Sequence, residues 1–317
     1  TPSDSSIIGF VPGEELTTEQ LLYAMITGSA NDAAVILAEH YAGSQAAFVE
    51  RMNQKAAELG CTNTTFVNAH GIHDPAQTTT ARDIARILNA VIAYDLFREV
   101  FETASYALPP APGEENNRVL YSDNYMISQL ILEAYYDYRC TGGKGSVSPD
   151  GTRSLAITAE DAGLTYIGIV LEAAPEYAED GSYIASYKEF VDMRTVINAG
   201  FDGYEIKQIL YEGQITNTCN VVNGENRVAL GPIRAVDCVL PKDTTLAELT
   251  LRMQRTGGEL EAPVKKGQIV DVLEVWYGGV CIAQSELVAM NGAAYRAAEA
   301  AGSGQENFDA AGFTRAL

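Results

Sequence analysis

The sequence is short of basic residues, of cysteine and of long apolar runs, and each shortage closes off a class of protein. Lysine and arginine number 21 against 42 aspartates and glutamates, a formal net charge of −21. A chain this acidic repels phosphate backbones and anionic lipid, which argues against nucleic-acid binding and against adhesion to a membrane through a basic patch. No run approaches the ~18 consecutive apolar residues of a membrane-crossing helix. The five cysteines, Cys61, Cys140, Cys219, Cys238 and Cys281, form no C-x-x-C pair. A thiolate zinc site and a disulfide framework therefore lack support, and the cysteines read as small buried hydrophobes. His70 and His73 stand three apart in a loop with no third ligand at a useful spacing, so no metal and no cofactor is assigned. The first residue is Thr1, with no initiator Met, charged n-region or apolar h-region. The chain thus reads as a processed, truncated or partial product whose compartment no signal reveals.

What is present suits a globular protein. Hydrophobic residues make up 47% and charged residues 20% of 317, and a soft prior of ~150 residues per domain gives about two domains. The first half reads as helices. Thr17 and Gln20 make a capping box ahead of Leu21, Leu22, Met25 and Ile26, and Gly28-Ser29 interrupts the pattern. A second helix follows with Ala34, Leu37, Ala38 and Tyr41. Ser44 caps a third that Gly60 stops, and Thr80 caps a fourth. Leu108 to Asn117 is Pro-rich and acidic, hence a surface loop. Ser154–Glu160 and Thr165–Glu172 alternate around Asp161-Ala162-Gly163, which predicts an antiparallel hairpin, and a helix over roughly Ser186 to Ala199 follows. Beyond Gly200 come short apolar runs, Gln208–Tyr211, Arg227–Leu230, Ala235–Leu240, Ile269–Val275 and Val280–Ala283, separated by turns such as Asn223-Gly224 and Gly278-Gly279. This spacing predicts a small all-β domain. The tail from Asn291 is rich in Ala, Gly and Gln and is expected to fray.

Three patterns could carry chemistry. Ser29-Ala30-Asn31 lies where one helix ends and another begins, so it could aim a hydroxyl and an amide into a cleft. The same residues also read as plain caps of the second helix, and the tripeptide alone favours that. Phe66-Val67-Asn68-Ala69-His70-Gly71-Ile72 is a loop running toward the capped helix at Thr80, with His70 read as a hydrogen-bonded structural residue. Thr141-Gly142-Gly143-Lys144-Gly145-Ser146 sits ahead of the hairpin. A lysine starting a strand between glycines can offer a fixed charge to a carboxylate, and the glycines could let a ligand lie close to the backbone. It is no P-loop, because position 138 is Tyr.

Taken in order, these patterns resemble the low-molecular-weight penicillin-binding proteins, serine-type D-alanyl-D-alanine carboxypeptidases. The resemblance runs from about Ile7 to Val288. It includes Gly9-Phe10-Val11-Pro12-Gly13-Glu14, Ser29-Ala30-Asn31-Asp32-Ala33-Ala34, the His70-Gly71 loop with Thr80-Ala81-Arg82-Asp83, Leu240-Pro241-Lys242 and Leu260 to Gln268. It implies an α+β fold, a β-lactamase-like transpeptidase domain with helices on an antiparallel sheet, followed by a small all-β domain. The expected boundaries are 1–202, 203–290 and a flexible tail, 291–317. Of the S-x-x-K, S-x-N and K-T-G motifs of such enzymes, Ser29 and Asn31 match the second. No serine in the 317 residues has a lysine three residues later, so the nucleophile segment is expected upstream of this chain. An ungapped match puts Lys144-Gly145-Ser146 on K-T-G. Cys140-Thr141-Gly142 is the rival placement, without the lysine. In either case the third motif departs from the family pattern.

The resemblance implies acylation of a serine by a peptidoglycan stem peptide ending in D-Ala-D-Ala, release of D-Ala, and hydrolysis of the ester, with β-lactams as inhibitors. Ser29 would relay a proton to the leaving amine, Asn31 would bind the substrate backbone, and Lys144 would attract the terminal carboxylate. Gly145, Ser146 and Val147 would line the substrate. The Val147 N–H would serve the oxyanion hole, where losing one donor typically costs ~3 kcal/mol. Without the nucleophile segment the chain is expected to be nearly inactive. The workplace implied is extracytoplasmic, in the cell envelope, with membrane attachment only through a segment not present here. Two alternatives stand beside this reading: a non-catalytic peptidoglycan-binding protein on the same fold, and a module whose β domain docks partner proteins.

Overall fold

A computed structural model of the chain describes residues 6–255 and 257–296. Capping chemistry opens the helices of the first half. Thr17 Oγ1 accepts from the Gln20 amide while the Gln20 side chain accepts from the Thr17 amide, and α1 (Thr18–Ile26) begins there. α2 (Asn31–Ala42) ends on Gly43 in the left-handed region, the usual helix stop. Ser44 and Thr80 each accept an amide three residues on, opening α3 (Gln45–Glu58) and α4 (Ala81–Val91). α5 (Asp95–Phe101) starts on Tyr94 with no side-chain cap. That is why the sequence carried no start signal for it.

β1 (Ser105–Leu108) and β2 (Arg118–Tyr121) form an antiparallel ribbon whose loop is the Pro-rich acidic stretch. A short helix, α6 (Gln129–Leu132), leads toward β3 (Cys140–Val147). β3 pairs with β4 (Arg153–Asp161), and β4 pairs with β5 (Leu164–Ala173), all antiparallel, which leaves β3 as one edge of a three-stranded sheet. The small pair β6 (Glu176–Tyr177) and β7 (Ile184–Ser186) precedes α7 (Lys188–Gly203).

Two cores hold this unit. Phe190, Met193 and Ile197 lie on one face of α7 and bury against Leu155, Ile157 and Ala159. Each such side chain contributes about 1.5–3 kcal/mol of transfer free energy. A Cβ at Gly168 would stand 2.5 Å from Met193 Sδ, so glycine lets the helix close on the sheet. The other core joins α1 and α2 to the ribbon through Leu21, Ala24, Ala30, Ala33, Leu108 and Leu120. The expected α+β architecture is the one observed.

The chain divides into two compact units between Gly203 and Tyr204. In the second, β8 (Tyr204–Leu210) pairs with a strand further on, and β9 (Asn217–Cys219) and β10 (Val228–Pro232) come between. β11 (Val236–Pro241) is the partner of β8. β12 (Thr250–Arg255), β13 (Ile269–Tyr277) and β14 (Val280–Ala289) complete a five-stranded antiparallel sheet ordered β12-β13-β14-β10-β9. Leu230, Leu240, Leu273, Val275 and Leu287 anchor its core. β12 escapes sequence reading because all six of its residues are exposed, so no alternation betrays it.

Residues 291–296, expected to fray, are held in place instead. Ala293 pairs with Val264 and Tyr295 with Gly224, and the Asn291 side chain accepts from the Ala229 amide at 2.8 Å. Backbone pairing and burial of Ala293 in the core of the second unit hold the segment. Residues 297–317 of that tail lie outside the described residues. Among the described residues no helix is long and apolar enough to cross a membrane.

Candidate active site

The site begins at the break between α1 and α2. Gly28 must be glycine: a Cβ there would lie 2.8 Å from the Ala24 carbonyl oxygen and 3.1 Å from Leu120. The next residue, Ser29, has φ of +53°. A non-glycine residue in the left-handed region costs on the order of 1–3 kcal/mol and persists only where its surroundings hold it there. The restraint is visible: Ser29 Oγ donates to Asp123 Oδ2 at 2.7 Å.

This corrects the reading of Ser29 and Asn31 as caps. The N-cap of α2 is Ala30, with no side-chain capping bond. Asp32 instead accepts the amides of Ile8 (3.1 Å) and Gly9 (2.8 Å), tying the entering segment to the helix start. Ser29 is thereby free to face a cleft.

On the opposite wall, Lys144 lies in the middle of β3, not at a strand start as expected. The strand extends back to Cys140 because its glycines are packing positions. A Cβ at Gly142 would come 2.9 Å from the Phe101 carbonyl oxygen, and one at Gly143 would come 2.2 Å from Asn124 Nδ2. These two glycines make room for protein, not for ligand. Lys144 Nζ donates to Ser29 Oγ at 2.6 Å and to the Gly145 carbonyl at 2.6 Å, and it pairs with Asp123. The Gly145 amide donates to Asp123 Oδ1 at 2.8 Å. Both main-chain groups of Gly145 therefore point away from β4, toward the cleft. With the two-residue period of a strand, Val147 presents its N–H on the same edge.

Cys140, the rival anchor, is buried in the sheet core beside Asn124. Burial pushes its thiol up to about 12, so it stays protonated at neutral pH.

Ser29, Asn31, Lys144, Gly145, Ser146 and Val147 all line one cleft of about 850 Å³, together with His70, Ile72 and His73 from the long loop. That loop is braced internally. Asn68 donates to the Ile72 carbonyl at 2.8 Å and accepts from the Gly71 amide at 2.7 Å, and His70 Nδ1 accepts from the Ile72 amide at 3.2 Å. Burial lowers the His70 pKa below its ordinary value, so the imidazole is neutral at pH 7. Lys144 is the one lysine or arginine among the described residues lining the cleft. Among the described residues no three His, Cys, Asp or Glu side chains gather as a metal site.

Asp123, which joins Ser29, Lys144 and Gly145, carries no signal of its own in the sequence. Ser122-Asp123-Asn124 even spells S-D-N, a variant of the second motif. The structure shows why that spelling misleads: Ser122 is 4% and Asn124 0% exposed, so neither meets a ligand. They shape the turn that presents Asp123. Ser122 Oγ accepts from the Asn124 amide at 3.2 Å, and Asn124 Oδ1 accepts from the Met126 amide at 3.1 Å.

A serine, an asparagine and a strand lysine thus line one cleft beside a β-edge. Residues 1–174 match the D-alanyl-D-alanine carboxypeptidase family, and residues 204–293 match the penicillin-binding protein 5 C-terminal domain. The chain belongs to the D-alanyl-D-alanine carboxypeptidase family. Among curated relatives it is 28% identical over 289 residues to D-alanyl-D-alanine carboxypeptidase DacC of Escherichia coli, with 90% of this chain and 66% of that one aligned. DacA of Haemophilus influenzae is 26% identical over 292 residues, 91% of this chain and 68% of its own. This chain thus spans about two thirds of the length of these relatives. Penicillin binding protein 5 from Haemophilus influenzae superposes with a TM-score of 0.65 at 25% identity, covering 92% of this chain and 79% of the other. A Streptococcus pneumoniae peptidoglycan synthesis regulatory factor (PBP3) superposes at 0.73 with 21% identity, covering 92% and 81%, which speaks for the fold.

Proposed function

We propose that this chain carries the second and third motifs of a serine-type D-Ala-D-Ala carboxypeptidase acting on peptidoglycan stem peptides. The observation that carries the reading is the contact of Lys144 with Ser29 across one cleft, 2.6 Å between residues 115 positions apart in sequence. Ser29 relays a proton to the leaving amine. Asn31 holds the substrate backbone. Lys144 attracts the ligand's terminal carboxylate, and the Val147 N–H on the β3 edge stabilises the oxyanion. A serine hydroxyl needs a nearby base to attack, and the serine and lysine of S-x-x-K come, on this reading, from sequence outside these 317 residues. The 317-residue chain alone is then nearly inactive. The site of action is extracytoplasmic, in the cell envelope.

The test is covalent labelling with a fluorescent penicillin. A longer product that includes S-x-x-K acquires the label, and Lys144→Ala reduces it. The 317-residue chain does not. Labelling of the shorter chain would overturn the assignment of the nucleophile. A folded longer product that never labels would leave the non-catalytic binding protein as the better account.

A further inference from the structure

We propose that β12 is a docking edge for an extended acidic segment of a partner protein, which adds to the sheet as a further strand. This surface lies in the second unit and does not depend on the reading of the cleft.

Among the described residues β12 pairs with β13 alone and forms one edge of the five-stranded sheet. Alternate residues of an edge strand turn their N–H and C=O groups outward, where an added strand can meet them. Folded proteins blunt such edges with brevity, proline or bulges. The opposite edge follows that rule: β9 has three residues, and its Cys219 is buried. β12 does not. Its six residues are all exposed, none is proline, and its register against β13 is unbroken. Leu251 and Met253 share a face with buried Val275 and Leu273, yet they are 45% and 44% exposed. The rim of the core is therefore open along this edge.

Charge decides which strand fits. Thr250-Leu251-Arg252-Met253-Gln254-Arg255 carries two cations and no acid, in a chain with 42 aspartates and glutamates. The carboxylates opposite the arginines, Glu274 and Asp271, are buried on β13. Glu274 accepts from Trp276 Nε1 at 2.8 Å and from Gln284 Nε2 at 3.3 Å. The Arg252 guanidinium lies over the Trp276 ring, 4.3 Å from its centroid, and makes no ion pair among the described residues. The ring holds that cation beside the open edge before a ligand arrives, which lowers the ordering cost of binding. Arg255 stands 3.5 Å from Asp271 and keeps 43% of its side chain exposed. A basic strand meets like charge at both positions, and an acidic one gains a partner at each. The same repulsion disfavours a second copy of this chain, since two β12 strands side by side would set arginines against arginines. Apolar residues on the Leu251–Met253 face and glutamates on the Arg252 face suit both sides of the edge.

The test is titration of the 317-residue chain with acetylated, amidated peptides of about six residues, the length of an ordinary strand, in which valine alternates with glutamate or with lysine. Emission of Trp276, the one tryptophan, and amide chemical shifts report binding. At low salt the glutamate peptide binds about tenfold more tightly than the lysine peptide, through opposite charges gained in one and like charges met in the other. The shifts fall on β12 and β13. Arg252→Gln removes a cation that no carboxylate of the described chain engages, and it lowers the ratio to about threefold. A glutamate peptide N-methylated at every residue keeps its charge, loses its main-chain donors and does not bind. Equal affinity for the two peptides, undiminished binding of the methylated one, no saturable binding of either, or shifts away from β12 overturns the proposal. Dimerisation of the wild type through β12, seen by sedimentation velocity, would assign the edge to a second copy and overturn it as well. The comparison of peptides on the wild type needs no variant to fold.

Discussion

Gly143→Ala is the sharpest stability test of how the site is built. The new Cβ would stand 2.2 Å from Asn124 Nδ2, 2.9 Å from its Cγ and 3.0 Å from the Ala156 carbonyl oxygen. Non-bonded carbon contacts settle near 3.5–4.0 Å, so one partner must move by more than an ångström. Asn124 has nowhere to go: it is fully buried, and its Oδ1 accepts from the Met126 amide. Overpacking of this kind costs about 1–3 kcal/mol, and loss of the Asn124 hydrogen bond adds about 1 kcal/mol. The reduced entropy of the unfolded chain offsets about 0.4–1 kcal/mol. The net expectation is a loss of about 2 kcal/mol. Gly145→Ala is the control. Its Cβ meets the end of Asp123 at 3.2 Å, and a partly exposed side chain can shift by the few tenths of an ångström required, so the cost stays below about 1 kcal/mol. Urea unfolding followed by far-UV circular dichroism measures both, and Trp276, the one tryptophan of the chain, separately reports on the second unit. A Gly143→Ala protein within about 0.5 kcal/mol of wild type, or a Gly145→Ala protein as damaged as Gly143→Ala, would refute the packing argument.

Asp137 supplies a pH prediction. Burial pushes its pKa up, but the Arg139 hydrogen bonds at 2.9 and 2.8 Å prevail and hold it below the usual value. Its contribution is then complete above the unfolded value of about 4 and is lost as pH falls through the lower folded value. Asp137→Asn should cost about 2 kcal/mol at pH 7 and flatten the acid limb of a stability–pH profile; an unchanged slope below pH 4 would count against the pairing. Cys140, with its thiol at about 12, should resist iodoacetamide at pH 8 in the native protein and react fully in urea, as read by mass spectrometry. Rapid native labelling would contradict its burial. Gly231→Ala places a Cβ 2.8 Å from the Gln214 carbonyl oxygen and 3.0 Å from Gly213 backbone, so it should lower the Trp276-detected midpoint by about 1–3 kcal/mol in stability. We further expect residues 204–296 alone to unfold cooperatively and Leu273→Ala to cost that fragment about 2–5 kcal/mol; a broad, featureless melt would argue against independent folding.

The elements most legible in the sequence are those announced by local chemistry. Thr17, Ser44 and Thr80 mark helix starts because a short oxygen satisfies an amide three residues on. β4 and β5 alternate because one face meets α7. α5 and β12 carry no such signal, the one for want of a cap and the other for want of a buried face. At the site, Ser29, Asn31 and Lys144 could be chosen from residue type and order, but their meeting depends on long-range packing. Asp123 was invisible for the same reason. Its partners are 94 and 21 positions away, and its neighbours Ser122 and Asn124 carry the turn signal without revealing where the turn points. The glycines of β3 misled in the opposite direction. They suggested ligand approach, whereas Phe101 and Asn124 fill that space.

The central claim is that the Ser29–Lys144 cleft receives a D-Ala-D-Ala peptide. Amide chemical-shift mapping on the 317-residue chain tests it most directly, with an acetylated tripeptide ending in D-Ala-D-Ala titrated to millimolar concentration. Saturable shifts are expected at Ser29, Asn31, Asp123 and Gly145 to Val147, weakened by Lys144→Ala, and none on β8 to β14. Shifts confined to the second unit, or an unperturbed β3 edge at saturation, would contradict it.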